Sequence, residues 1–439
     1  MRRNHCWIGG IEILALLVLL PVISSGATAN KDSKAPTAKE KVIYSFQGGT
    51  DGANPMSDLV LDSSGNLYGT TNNGGGANEY GTVFELKRNG ESWREQVLYR
   101  FQDGADGEYP QAGLIFDSSG NLYGTTERGG PGDLGTVFKL APNGKGGWTH
   151  SILYSFVVGA YPSSDLVFDA NGNLYGTTLF GGVNSCEGAP ACGTVFELIK
   201  QSNGSWTGST LYQFAGPPND GGIPSSGVVL DSAGNLYGMT VAGGSNHCFL
   251  QRFPGCGVVY KLTPDGKGNW TETVLFNFAR GNGLAVSPSA GLLIDEDGDH
   301  LVGTTLQGGD GLGTIFALDE SNNATWKQVV LHRFYENRDG RSPVGQLITD
   351  SNHNLFGVTI EGGGVVGGAG MVFELQLTKE GHWNETILHD FAGGTDGSYP
   401  EGGLVSDGNG HLYGTTSQGG TATCSEGQNL CGTVYEITP

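Results

Sequence analysis

The residues of this chain that are best suited to chemistry stand directly before a repeated Gly-Gly pair. They occupy seven equivalent positions but differ in type: Asn73, Arg128, Phe180, Ala242, Gln307, Glu361 and Gln418. Amides, an acid, a base and one aromatic ring suit a sugar or a peptide, through hydrogen bonds and one stacking face. All except Ala242 are therefore predicted to bind a ligand; the alternative is that they are ordinary exposed loop residues.

A second candidate for chemistry is the acidic turn of the fifth repeat, which reads Asp295-Glu-Asp297-Gly-Asp299-His. Alternating carboxylates in a glycine-bearing loop suit calcium, although the EF-hand pattern lacks its glutamate at the twelfth position. Calcium at Asp295, Asp297 and Asp299 is the one cofactor that the sequence suggests.

Enzyme motifs are scarce in the chain. It contains no Gly-x-Ser-x-Gly elbow, His-Glu-x-x-His, phosphate loop or dinucleotide fingerprint. His332 and His389 replace a repeated tyrosine, so we interpret them as packed core residues and not as catalytic bases. No catalytic residue is predicted.

The elements that must position these residues are four strand-like phrases that recur in fixed order. They are an apolar Leu-x-x-Asp, then Leu-Tyr-Gly-Thr-Thr, Gly-Thr-Val-Phe-Glu-Leu and Val-Leu-Tyr-x-Phe. Repetition at about 50 to 65 residues indicates a propeller or a solenoid. The last repeat stops at Pro439 after its third phrase, while a fourth phrase stands alone at residues 42–46.

This offset favours a closed ring over a linear solenoid, because a ring leaves no open sheet edges. We predict an all-β, seven-bladed β-propeller over residues 41–439, with four antiparallel strands per blade and strand 42–46 completing the last blade. The second-to-third and fourth-to-next-first connections then share one face, which carries the long loops and the predicted ligand-binding residues.

The start of the chain and the cysteines indicate an extracytoplasmic protein. Residues 1–29 have the basic start, apolar run and Ala-Thr-Ala ending of a signal peptide, and residues 30–40 are predicted to be a flexible lead-in. Three local disulfides are predicted: Cys186 with Cys192, Cys248 with Cys256, and Cys424 with Cys431. Secretion or periplasmic location follows, with no membrane insertion after signal removal.

The overall charge limits the possible partners. A formal net charge of −21 makes nucleic acid an improbable partner and suits the solubility of a secreted protein. The chain is predicted to be a monomer.

The repeat resembles the GloVer-type tandem repeat of secreted bacterial choice-of-anchor proteins. The resemblance covers about residues 41–439 and is carried by Asn-Leu-Tyr-Gly-Thr-Thr, the following Gly-Gly and Gly-Thr-Val-Phe-Glu-Leu. It implies an extracytoplasmic or surface protein of undefined biochemical activity and brings no catalytic residues. No C-terminal anchor pattern follows Pro439, so release into the periplasm or medium is expected.

Three functions remain open at this point. The leading hypothesis is a non-catalytic propeller that binds a glycan, peptide or surface component through its long-loop face. The first alternative is a glycan lyase or hydrolase with acids such as Glu361 at the tunnel mouth. The second alternative is a structural assembly module.

Overall fold

A computed structural model describes residues 38–102, 104–157, 161–186, 189–248, 253–280, 285–295, 298–308, 311–321, 325–335, 339–364, 368–424 and 431–439. The predicted signal peptide and most of the lead-in lie outside these residues. In the described part of the chain, no helix has the length and apolar character needed to cross a membrane.

The described residues form seven antiparallel blade sheets, six with four strands and one with a fifth strand added, which confirms the predicted seven-bladed propeller. An N-terminal strand β1 spans Lys39–Ser45. Blade 1 contains β2 (Val60–Leu61), β3 (Leu67–Thr71), β4 (Thr82–Asn89) and β5 (Ser92–Arg100); blade 2 contains β6 (Ile115–Phe116), β7 (Leu122–Thr126), β8 (Thr136–Pro142) and β9 (Trp148–Ser155). Blade 3 contains β10 (Val167–Phe168), β11 (Leu174–Thr178), β12 (Thr194–Lys200) and β13 (Trp206–Gln213).

The later blades add small extensions to the same plan. Blade 4 contains β14 (Gly221–Gly222), β15 (Val229–Leu230), β16 (Leu236–Thr240), β17 (Ala242–Gly243), β18 (Val258–Pro264) and β19 (Trp270–Asn277), with β14 and β17 forming a separate ribbon. Blade 5 contains β20 (Ala285–Pro288), β21 (Leu293–Ile294), β22 (His300–Gly308), β23 (Thr314–Ser321) and β24 (Thr325–Arg333). Blade 6 contains β25 (Arg341–Thr349), β26 (Leu355–Glu361), β27 (Met371–Leu377) and β28 (Trp383–Asp390), followed by the 3-10 turn Gly394–Asp396. Blade 7 contains β29 (Val405–Ser406), β30 (Leu412–Thr416) and β31 (Thr433–Thr438).

The N-terminal strand completes blade 7. β1 pairs antiparallel with β31, from Lys39 opposite Thr438 to Ser45 opposite Thr433. The strand therefore includes Lys39 and Glu40, two residues that the sequence had suggested as lead-in. Phe46 at its end packs edge-on against Phe84 of blade 1, with ring centroids 5.1 Å apart. One strand thus joins the two ends of the chain into a ring.

The repeated aromatic residues form the core between blades. At all seven junctions the phenylalanine that follows a fourth strand packs edge-on against the Phe or Tyr of the third strand in the next blade, as Phe101 does on Phe138 at 5.2 Å. Fourth-strand tryptophans add a second contact: the ring centroids of Trp148 and of Tyr68 in the preceding blade are 6.2 Å apart. Edge-to-face pairs of this kind stabilise beyond the area that they bury.

Recurring polar residues form hydrogen bonds with one another inside the blades, as in blade 1. In blade 1 the Asp62 carboxylate caps its turn by accepting the N–H groups of Ser64 and Asn66, at 2.8 and 2.9 Å. The Tyr68 hydroxyl donates to Glu85 at 2.8 Å, and Thr71 shares a 2.8 Å hydrogen bond with Thr82. The constancy of Leu-Tyr-Gly-Thr-Thr is therefore explained by packing and hydrogen bonding within the frame.

In each blade the residue before a repeated proline donates a backbone hydrogen bond to the preceding blade, and we call this contact the proline latch. Tyr109, which precedes Pro110, donates its N–H to the Tyr80 carbonyl of the preceding blade at 3.0 Å. A Cβ on Gly81 would lie 2.7 Å from the Pro110 ring, so only glycine fits there. The residue before the proline has φ between 54° and 61° in every blade: Asn54, Tyr109, Tyr161, Ile223, Ser287, Ser342 and Tyr399. Because the residue has this left-handed conformation in all seven blades, the backbone strain is part of the repeated scaffold and does not mark a functional site.

Candidate functional site

The six predicted ligand-binding residues stand on the long-loop face in a common backbone frame. Five of them pair with a residue of the connection that leads into the same blade: Asn73 with Ala53, Arg128 with Glu108, Gln307 with Val286, Glu361 with Arg341, and Gln418 with Ser398. The backbone therefore presents these positions alike, and the side chains alone make the chemistry differ.

Five aromatic side chains in the connections of blades 1 to 4 form two contact groups on this face. They are Tyr80, Tyr109, Tyr161, Phe180 and Phe253, and we call the five together the aromatic arc. Tyr161 and Phe180 meet edge-on with ring centroids 5.9 Å apart, and Phe180 meets Phe253 at 6.3 Å. Tyr80 and Tyr109 form a second pair at 6.0 Å. All five side chains keep part of their surface exposed.

The Arg128 guanidinium lies against one ring of the aromatic arc. Its guanidinium carbon lies 5.7 Å from the centre of the Tyr161 ring, within the range of a cation–π contact. The structure therefore brings Arg128 and Phe180 together through a shared neighbour, Tyr161. The Arg128 side chain is exposed, so its N–H groups face solvent beside a partly exposed aromatic surface.

Further apolar surface and two disulfides flank the aromatic arc. Val157 and Val183, in loops of the same blades, are 69% and 85% exposed. Cys186–Cys192 closes the loop that follows Phe180, and Cys248–Cys256 closes the loop that contains Phe253. With Cys424–Cys431, all three predicted disulfides are confirmed. Exposed apolar side chains held on braced loops are typical of a binding surface.

Blades 5 to 7 present a polar surface at the equivalent positions. Glu361 forms an ion pair with Arg341, and both side chains are about two-fifths exposed. Ser417 donates to Glu401 at 2.7 Å, and burial raises the pKa of the Glu401 carboxyl while that hydrogen bond opposes the rise. The Glu361 charge is thus balanced by the Arg341 guanidinium beside it.

Two carboxyl groups lie near the propeller axis. They occupy the position directly before the apolar Leu-x-x-Asp phrase, where the seven blades contribute Asp58, Gly113, Asp165, Gly227, Gly291, Gln346 and Gly403. Asp58 accepts the Gly403 N–H, and Asp165 accepts the Gly113 N–H at 2.6 Å. Burial and the nearby Asp165 charge raise the pKa of Asp58 to about 7, against the effect of the Gly403 hydrogen bond. Burial likewise raises the pKa of Asp165.

The predicted calcium site has a simpler role in the residues that are described. The Asp295 carboxylate accepts the N–H groups of Asp299 and His300 at 3.0 and 3.3 Å, as the equivalent aspartates do in other turns. Asp299 is exposed, and Asp297 lies outside the described residues. Calcium at this turn stays a prediction.

Two other groups place three possible metal ligands within 4.8 Å of one another: His332 with Asp339 and Glu385, and His389 with Asp396 and Glu40. Both histidines pack edge-on against phenylalanines, Phe334 and Phe391, at 4.7 and 4.8 Å. Their packed position matches the sequence interpretation, but their Nε2 atoms face carboxyl groups. Burial, reinforced by Asp339 and Asp390, raises the pKa of Glu385 well above its usual range.

Sequence reasoning missed the tyrosines of the aromatic arc, the axial carboxyl pair and the histidine groups. A signal for each was present. Tyrosine precedes the latch proline in three of the seven repeats, and Asp58 and Asp165 stand where other repeats have mostly glycine. An aspartate stands seven residues after His332 and after His389.

Comparison with known proteins supports the family and the fold. A family model described as Gloeobacter/Verrucomicrobia repeat matches residues 32–247 and 179–435. No curated protein matches the chain. Among solved structures, an ancestral GH74 enzyme is similar at 11% identity and a TM-score of 0.54; the match covers 88% of this chain but only 48% of that enzyme.

Two further solved structures are similar to this chain. Hydrazine synthase of Kuenenia stuttgartiensis matches at 13% identity and a TM-score of 0.50, over 84% of this chain and 94% of that one. The periplasmic gluconolactonase PpgL of Pseudomonas aeruginosa matches at 14% identity and a TM-score of 0.47, over 87% of this chain and 99% of that one. At 11% and 13% identity, the two matches with TM-scores of 0.54 and 0.50 indicate the fold alone.

Proposed function

This chain belongs to the Gloeobacter/Verrucomicrobia repeat family, and we propose that it is an extracytoplasmic, non-catalytic propeller that binds a glycan on the aromatic arc. The observation that carries the proposal is the cluster formed by Arg128, Tyr161 and Phe180. It combines exposed aromatic surface with a cation on one side of the long-loop face.

The chemistry of the cluster matches that of a sugar ring. A pyranose presents an apolar C–H face, which packs on an aromatic ring, and hydroxyl groups around its edge, which need hydrogen-bond partners. Phe180 and Phe253 supply ring surface without a polar atom, while Tyr161 adds a hydroxyl. The exposed Arg128 guanidinium supplies several donors in a fixed plane and also suits an acidic sugar.

The local covalent structure favours a rigid site. Phe253 lies inside the loop closed by Cys248 and Cys256, and Phe180 precedes the loop closed by Cys186 and Cys192. Bracing reduces the conformational entropy that ligand binding would otherwise cost. Disulfides of this kind form and persist outside the cytoplasm, which agrees with the predicted signal peptide.

The test is binding of the mature chain to a panel of neutral and acidic polysaccharides, with a set of extended peptides alongside. We expect Phe180→Ala to weaken glycan binding at least tenfold, which corresponds to about 1.4 kcal/mol. The matched control is Gln418→Ala, which alters the equivalent position in blade 7 and should leave affinity within about twofold. Equal losses in the two variants, binding of peptides alone, or no binder in the panel would contradict the proposal.

Glycan cleavage is a second candidate, favoured by one observation, the axial carboxyl pair Asp58 and Asp165. Because its pKa is raised to about 7, the Asp58 carboxyl could donate a proton at neutral pH. This hypothesis predicts that reducing sugars are released from bound polysaccharide and that Asp58→Asn abolishes release without weakening binding. Release that persists at the native rate in Asp58→Asn would reject it.

A further inference from the structure

The outer junctions between blades contain a polar site that is built from three positions. Two belong to one blade: the residue two before the phenylalanine of the fourth-strand phrase, and an aspartate in the loop that follows. The third lies on the fourth strand of the next blade, six residues before the phenylalanine of that blade's own fourth-strand phrase. The described triads are Tyr44, Asp51 and Glu95; Tyr99, Asp106 and His150; Tyr212, Asp220 and Glu272; His332, Asp339 and Glu385; His389, Asp396 and Glu40.

Where tyrosine occupies the first position, it closes the site by hydrogen bonding. Tyr44 donates to Asp51 at 2.7 Å, Tyr99 to Asp106 at 2.5 Å and Tyr212 to Asp220 at 2.9 Å. The aspartate in each case is satisfied by the phenol, and the ring fills the space between the two blades. The third residue of each of these triads keeps one buried atom without a hydrogen-bond partner among the described residues: Glu95 Oε1, His150 Nε2 and Glu272 Oε1.

The His332 junction is more open, because it leaves two such atoms unpaired instead of one. His332 Nε2 lies 3.6 Å from Asp339 Oδ2 and 3.7 Å from Glu385 Oε1, too far for hydrogen bonds. Both His332 Nε2 and Glu385 Oε1 are buried and have no hydrogen-bond partner among the described residues. Leaving such atoms buried and unpaired is costly, so a missing partner is indicated between them.

The distances from His332 Nε2 to the two carboxylate oxygens, 3.6 and 3.7 Å, suit ligands that share one metal ion. Zinc binds nitrogen and carboxylate oxygen at about 2.0–2.2 Å, which separates neighbouring tetrahedral ligands by roughly 3.3–3.6 Å. We propose that His332, Asp339 and Glu385 bind one divalent transition-metal ion, with zinc the best fit. One imidazole and two carboxylates select such an ion over calcium, which prefers six to eight oxygen ligands.

The second histidine group offers an internal comparison. His389 Nε2 already lies within hydrogen-bond distance of both Asp396 oxygens, at 3.1 and 3.3 Å. Its histidine is therefore engaged by the aspartate, as the tyrosines are at the other junctions. We assign the ion to the His332 junction for this reason.

The closed and open junctions also suggest the variant that tests the site without disrupting the fold. His332→Tyr introduces the residue type found at the equivalent position of another junction, where Tyr212 also lies beside an aspartate and a glutamate. Its phenol should donate to Asp339, so the variant should fold and be at least as stable as the metal-free native chain. His389→Tyr is the matched control at the other junction.

The experiment is calorimetric titration of the untagged, chelator-treated mature chain with zinc chloride, with the bound metal counted by mass spectrometry after dialysis. We expect one zinc per chain, bound at least tenfold more weakly by His332→Tyr and by Glu385→Gln, and retained by His389→Tyr. Calcium chloride should not compete. The proposal is overturned if the native chain takes up no zinc at roughly 0.1 mM, or if His332→Tyr keeps the native affinity.

Discussion

The two halves of the long-loop face share one backbone and differ in chemistry. In blades 1 to 4 the variable positions and their neighbours form the aromatic arc with Arg128, whereas in blades 5 to 7 they form an ion pair and small polar contacts. The latch proline, its left-handed neighbour and the backbone pairs are the same in both halves. The frame therefore tolerates a change of surface chemistry without a change of shape, and binding must be sought in the side chains.

The largest difference between the two halves is expected for two tyrosines that each precede a latch proline. Tyr161 belongs to the aromatic arc and has φ of 61°, while Tyr399 lies in the polar half and has φ of 57°. Tyr161→Ala should weaken glycan binding at least tenfold, because it removes the ring that both Arg128 and Phe180 contact.

Tyr399→Ala is its control, since it changes the same residue type at the same backbone conformation. We expect affinity within about twofold of native and a change in unfolding free energy close to that of Tyr161→Ala. Comparable losses of affinity in both variants would show that the two halves do not differ in binding.

Buried carboxyl groups at the axis and at the outer junctions between blades should make stability depend on pH. Asp58, Glu40, Glu95 and Glu272 all have pKa values raised to about 7, chiefly by burial. A carboxyl with a raised pKa in the folded state stabilises most below its unfolded pKa, and that stability is lost as pH rises through about 7. The melting temperature should therefore be about 5 °C or more lower at pH 8 than at pH 5.

Asp58→Asn separates the axial contribution from the others. It keeps the shape and the acceptor for the Gly403 N–H but has no charge to bury, so the fall in melting temperature between pH 5 and pH 8 should become smaller. Differential scanning calorimetry at both pH values gives the result. An unchanged pH dependence would mean that Asp58 is ionised without cost in the folded chain.

The smallest effect is expected in the polar half. Glu361→Gln removes the ion pair with Arg341, which is exposed enough to contribute less than about 1 kcal/mol. Glycan affinity should not change, and urea unfolding should shift only slightly. A large loss of binding would move the site from the aromatic arc to blades 5 to 7.

The fold was predictable because the residues that build it are repeated. The latch contact between Pro110 and Gly81 and the hydrogen bond between Thr71 and Thr82 use residues that recur in the repeats. The displaced fourth phrase likewise indicated how the ring closes, and β1 pairs with β31. Repetition exposes such contacts to inspection of a single sequence.

The candidate site was less predictable because its contacts join residues that are not repeated. Phe180 was identified by its position, but its contact with Phe253 depends on a loop whose course is set by the Cys248–Cys256 disulfide. The sequence places the predicted ligand-binding residues at equivalent positions of the repeats. In the structure their side chains contact different neighbours, as Glu361 does with Arg341. Long-range pairing of variable loops leaves no periodic signal in the sequence.

Amide hydrogen–deuterium exchange with and without a saturating oligosaccharide most directly tests whether a glycan binds on the aromatic arc. Protection should appear in the loops that carry Arg128, Tyr161, Phe180 and the Cys248–Cys256 loop, because these would be covered by ligand. The loops around Glu361 and Gln418 should exchange as in the free chain. Protection confined to blades 5 to 7, or to the hairpin turns on the opposite face, would contradict the account.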